Sequence, residues 1–154
     1  MNNFFILFIL QIVSCAFMSG LIWIIQILHY PAFCYLREDQ FGEFHSLHTK
    51  KITLIVFPVM LLELVTALLL VVQNFSSYLL GINLFFLILT WLSTFLVSVP
   101  LHNSLTKSMN LQLINRLIQT NWIRTFFWSM RLVILAYFAL SYLGVGVQNV
   151  DISQ

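Results

Sequence analysis

Four long apolar runs, at residues 4–28, 52–72, 79–100 and 123–147, are separated by polar connections. As a helix, each run of about 20 residues or more would reach about 30 Å, the thickness of a bilayer's hydrocarbon core. Strands of a membrane barrel would be about half as long and would alternate in polarity, and these runs do not. The pattern predicts an all-α integral membrane protein: a four-transmembrane-helix antiparallel bundle forming a single domain over residues 1–154. The second connection, Gln73-Asn74-Phe75-Ser76-Ser77, is short enough to make spans two and three antiparallel neighbours. The first connection is longer. Asp39 is placed to cap a helix there, and Phe41, Phe44 and Leu47 recur at helical spacing. This predicts a short interfacial amphipathic helix running into span two. Pro58 lies inside span two and is expected to kink it. No internal repeat is visible.

Composition agrees. Hydrophobic residues make up 60% of the chain and charged residues only 8%, against about 25% charged in soluble domains. So few charges cannot cover a water-facing surface, and the lipid bilayer is the expected partner. The net charge of +2 is small and scattered, which gives no footprint for nucleic acid. The first run lacks the basic start of a cleaved leader and is too long for one. Ile12-Val13-Ser14-Cys15 loosely resembles a lipoprotein processing site, but cleavage there would leave a terminus inside an apolar run. Cys15 and Cys34 have no metal-type or redox-type spacing.

Lys and Arg set the expected orientation. Arg37, Lys50 and Lys51 lie in the first connection, Lys107 and Arg116 in the third, and Arg124 at the start of span four. The second connection and both tails have none. The loaded face is therefore expected to be cytoplasmic, with both termini outside, in an inner or plasma membrane.

Two charges fall inside the apolar runs. Glu63 is near the middle of span two, and Arg131 is eight residues into span four. Alone, each would cost roughly 3 kcal/mol at the bilayer centre on the insertion scale, so they are expected to pair. Asn121, Arg124, Trp128 and Arg131 share one face of span four. Trp91, Thr94, Ser98 and His102 recur at similar spacing on span three, and Gln11, Ser14, Met18, Gln26 and His29 on span one. Small hydroxyl residues commonly join membrane helices, but two arginines, a glutamate and two tryptophans exceed that need. The expectation is a polar or mixed cavity opening toward the cytoplasmic face.

All four histidines fall at that end. His29 closes span one, His102 closes span three, and His45 and His48 precede span two at i, i+3 spacing. Imidazoles on one face suit metal ligation or proton transfer. His29, His45, His48 and His102 are thus candidate ligands for iron, copper or haem, and His29, His48, His102 and Arg124 are candidate catalytic groups. Gln26, Asn103, Asn121, Trp128, Glu63 and Arg131 are candidate substrate contacts.

Two segments carry a resemblance. Val99-Pro100-Leu101-His102-Asn103-Ser104-Leu105 closes span three, and Asn121-Trp122-Ile123-Arg124-Thr125 opens span four. With four spans, this resembles the anthrone oxygenase-like family of small membrane proteins, through Pro100, Asn103 and Leu105, then Trp122 and Arg124. The Trp122–Arg124 spacing departs from the family pattern, and the match covers mainly the last third of the chain. The resemblance implies oxidation of polycyclic anthrones to anthraquinones. The leading expectation is an oxygenase-like or oxidoreductase-like protein acting on a small hydrophobic ligand. A non-enzymatic lipid-binding or complex subunit, and a haem-binding electron carrier, are the rival readings.

Overall fold

A computed structural model describes residues 3–151, with side chains from residue 3 to residue 142. Four helical spans are long and apolar enough to cross a membrane: Asn3–Tyr35, Glu38–Gln73, Tyr78–Leu105 and Leu111–Tyr142. They form an all-α four-helix membrane bundle. Span one packs beside spans two and four, and span three packs beside the same two. Apolar side chains such as Phe57, Leu68, Phe85 and Val133 point outward. In water this surface would be costly, and in lipid it is the solvated face. The interior is mixed. Met18, Ile22, Leu70, Leu87 and Leu135 are buried together with Gln11, Glu63, Asn121, Trp128 and Arg131.

Span two belongs to one helix, Glu38–Gln73, of 36 residues. The expected amphipathic stretch before it is helical and continuous with it. Asp39 does not cap that helix. Arg37 is the N-cap residue, with extended backbone, and its guanidinium donates to both Asp39 carboxylate oxygens at 3.1 Å. Asp39 is the second residue of the helix, two positions past the N-cap. The helix runs through Pro58 without a break. A tight turn follows, closed by Ser77 N–H donating to Asn74 C=O at 3.0 Å. Asn110 caps span four, its Oδ1 accepting from Leu113 N–H at 3.1 Å. The backbone helix of span four continues to Asp151. Its expected end at Val147 has side chains outside the described residues.

The irregular backbone lies in spans one and three. Residues Ile25–His29 and Thr94–Ser98 each form a π turn. Tyr30 N–H bonds back five residues to Ile25 C=O, and Val99 N–H to Thr94 C=O. The next residue in each case is a proline, Pro31 or Pro100. Proline lacks an N–H, and its ring crowds the carbonyl four residues back. Widening the preceding turn relieves that clash. Each π turn inserts one residue into the helix, so every side chain beyond it is displaced around the axis. Spans one and three therefore share a local device at the same end of the bundle.

Candidate functional site

The histidine end of the bundle is built by these two π turns and the start of the Glu38–Gln73 helix. Beyond the first turn, Tyr30 points inward and is buried. Beyond the second, His102 turns toward it, and the Tyr30 hydroxyl lies 3.0 Å from His102 Nε2. His102 Nδ1 lies 3.0 Å from Nε2 of His45, which is fully buried. His45 Nδ1 lies 3.5 Å from the hydroxyl of exposed Thr106, and that hydroxyl donates to His102 C=O at 2.9 Å. His29 and His48 form a second pair, Nε2 to Nδ1 at 2.7 Å. The rings of His48 and His102 are 5.9 Å apart. All four histidines thus meet in one layer, as two hydrogen-bonded pairs.

The two imidazole pairs do not fit a haem held between them. A hydrogen bond between imidazoles uses one N–H and one lone pair, so within each pair one lone pair is committed to the neighbouring ring. Metal–imidazole bonds of about 2.0 Å would set nitrogens on opposite sides of a haem roughly 4 Å apart, and the pairs here stand at 2.7 and 3.0 Å. Among the described residues, no group of three or more His, Cys, Asp or Glu is arranged to hold a metal.

A cavity of about 150 Å³ adjoins this layer between spans two and three. Ile25, Val56, Met60 and Val99 give it apolar walls, Trp91 and Tyr30 give it aromatic ones, and His102 and Arg124 reach it at the histidine end. Phe57 and Phe95 line its mouth and are each 50% exposed on the outer surface. The cavity therefore opens sideways, toward lipid. Two donors on its lining residues, Trp91 Nε1 and Arg124 Nε, are buried and make no hydrogen bond among the described residues. A buried donor without a partner costs about 1–3 kcal/mol.

Arg124 is held in place from behind. Its Nη1 donates to Asn121 Oδ1 at 3.2 Å and to Ser98 Oγ at 3.3 Å. Asn121 Nδ2 donates to Gln26 Oε1 at 2.8 Å, and Gln26 Nε2 donates to Ile118 C=O at 3.1 Å. Gln26 and Asn121 accordingly support Arg124 and do not line the cavity. Asn103 is on the exposed side of its helix, away from the cavity.

A second polar centre lies deeper. Arg131 Nη1 is 2.9 Å from Glu63 Oε1, and both side chains are fully buried. This is an ionic contact without hydrogen-bond alignment, since neither atom has a hydrogen-bond partner among the described residues. Trp128 Nε1 donates to the other carboxylate oxygen at 3.1 Å. The Trp128 ring also lies 5.3 Å from Arg124 Cζ, a cation–π contact. Thr66 donates to Gln11 Oε1 beside this centre, and Asn83 Nδ2 donates to Arg131 C=O at 3.1 Å. Glu63, Trp128 and Arg131 do not line the cavity.

Of the residues singled out from the sequence, the cavity therefore gathers Trp91, Thr94, Ser98, His102 and Arg124, and the imidazole layer behind it gathers His29, His45 and His48. Sequence reasoning missed Tyr30 and Thr106. The signal for Tyr30 was present in His29-Tyr30-Pro31, a titratable pair directly before a proline at a span's end. Comparison with known protein families, curated proteins and solved structures found no match to this chain.

Proposed function

We propose that this protein takes a small hydrophobic molecule bearing an oxygen acceptor from the bilayer into the cavity between spans two and three, and oxidises it in oxygenase-like fashion. The observation that carries this reading is a largely apolar cavity two of whose lining residues, Trp91 and Arg124, each hold a buried donor, Nε1 and Nε, with no hydrogen-bond partner among the described residues. A carbonyl or phenolic oxygen would supply a partner to either donor once its side chain turns toward the cavity. An apolar cavity of about 150 Å³ accommodates one benzene-sized ring. A fused-ring ligand would extend outward between Phe57 and Phe95 into lipid.

The resemblance to anthrone oxygenase-like proteins suggests the reaction. A CH₂ group conjugated to a carbonyl is acidic. Arg124 beside the carbonyl oxygen favours the anion formed when that CH₂ loses a proton, and the Tyr30–His102 pair is the nearby proton acceptor. Molecular oxygen is the oxidant, so CH₂ and O₂ become C=O and H₂O. Because six of the seven basic side chains lie at the histidine end, we place that end at the cytoplasmic face of an inner or plasma membrane.

Oxygen uptake in lipid nanodiscs with 1,8-dihydroxyanthrone tests the reading. The expected result is uptake above that of empty nanodiscs, reduced by His102→Asn and by Arg124→Gln. Uptake equal to the empty control would contradict the oxygenase assignment.

A further inference from the structure

We infer that Tyr30, His102, His45 and Thr106 form a proton path from the ligand cavity to the solvent at the histidine end of the bundle. The inference rests on the cavity's being a ligand site. Four groups on three separate segments are linked in series: Tyr30 Oη to His102 Nε2 at 3.0 Å, His102 Nδ1 to His45 Nε2 at 3.0 Å, and His45 Nδ1 to Thr106 Oγ1 at 3.5 Å. One tautomer set satisfies every link. The Thr106 hydroxyl is committed as donor to His102 C=O, so it accepts from His45 Nδ1–H. His45 Nε2 then accepts from His102 Nδ1–H, and His102 Nε2 accepts from the Tyr30 hydroxyl. All donors point the same way, from cavity to surface.

The first member of the chain lines the cavity and the last is exposed. The middle is dry. His45 is fully buried, with Phe41 stacked on it at 5.4 Å and Phe33 edge-on at 5.8 Å. Water has little access to bypass His45, so a proton leaving His102 at Nδ1 passes through it. On its other sides His102 faces His48, at a ring separation of 5.9 Å, and shares the cavity wall with Arg124.

The transfer balances without any redox step. Tyr30 passes its proton to His102 Nε2, His102 releases the Nδ1 proton to His45 Nε2, and His45 releases its Nδ1 proton to solvent beside Thr106. The Tyr30 phenolate then takes the ligand's proton. One proton leaves the ligand and one reaches solvent, and the ligand anion remains beside Arg124.

The test uses alizarin, a hydroxyanthraquinone whose visible colour reports loss of its phenolic proton, bound to the protein in lipid nanodiscs. After a rapid pH jump, the bound dye should change colour quickly in the wild type. In His45→Ala the change should slow by about a hundredfold, the lower end of what positioned proton transfer contributes. Dye affinity should be unchanged, since His45 does not line the cavity, and added imidazole should restore the rate. Rescue by imidazole separates a relay from a purely structural histidine. Unchanged affinity with an unchanged rate in His45→Ala would overturn the path while leaving the cavity reading intact, and so would a slowed rate that imidazole does not restore. Failure of alizarin to bind the wild type would overturn the cavity reading and the path together.

Discussion

Glu63 and Arg131 join diagonally opposite spans through the bundle centre, with Oε1 and Nη1 2.9 Å apart and both side chains fully buried. Neither charge has water to turn to, so each depends on the other. Removing one leaves the other buried and uncompensated, at a cost of about 3–5 kcal/mol. Glu63→Ala and Arg131→Ala should each destabilise the bundle by about that much, whereas Glu63→Gln combined with Arg131→Met should recover a large part of the loss. Unfolding of the purified protein in mixed detergent micelles measures all three. A double variant as unstable as the sum of its single changes would show that the residues do not interact.

Trp91→Phe removes a donor that has no partner among the described residues. The ligand-free protein should therefore be as stable as wild type or slightly more so, because an unsatisfied buried N–H is costly. Ligand affinity should fall about 2- to 10-fold, matching one hydrogen bond of about 0.5–1.5 kcal/mol. A thermal-shift assay with and without 1,8-dihydroxyanthraquinone separates the two effects.

Pro31→Ala and Pro100→Ala restore an N–H and remove the ring that crowds the preceding turn. The π turn should then relax toward a regular α-helix, rotating Tyr30 or His102 off the cavity wall. Stability should be maintained or raised while ligand affinity drops. Retained affinity in both variants would show that the π turns do not position the site.

Orientation is tested by reporter fusions at the C-terminus. An alkaline phosphatase fusion should be active, placing that terminus outside the cytoplasm. An active green fluorescent protein fusion in its place would invert the bundle.

The four spans were legible because lipid exposure imposes long apolar runs and few charges. The Glu63–Arg131 pairing was legible for a related reason: a lone charge at that depth is so costly that two opposite ones at similar depth identify each other. The histidine layer was legible in depth alone, since all four imidazoles fall near span ends. Angular position was not. It depends on the π turns, which shift Tyr30 and His102 around their helix axes relative to a regular α period. Asn103, one residue past His102, consequently faces outward, and Tyr30, one residue past His29, faces in. Gln26 and Asn121 read as ligand contacts from polarity, yet their hydrogen bonds go to each other and to Arg124. Asp39 read as a cap by residue type, but the helix starts two residues too early for it.

The proposed occupant of the cavity between spans two and three is a small oxygen-bearing ring molecule. The direct measurement is a titration of 1,8-dihydroxyanthraquinone against tryptophan fluorescence in nanodiscs, with Trp91 as the reporter on the cavity wall. Val56 lines the cavity, so Val56→Phe fills it, whereas Val133→Phe adds the same bulk on the 61% exposed outer surface. Quenching should saturate in the wild type and in Val133→Phe and be lost in Val56→Phe. Quenching that rises without saturation, or that is equal in all three proteins, would contradict that occupancy.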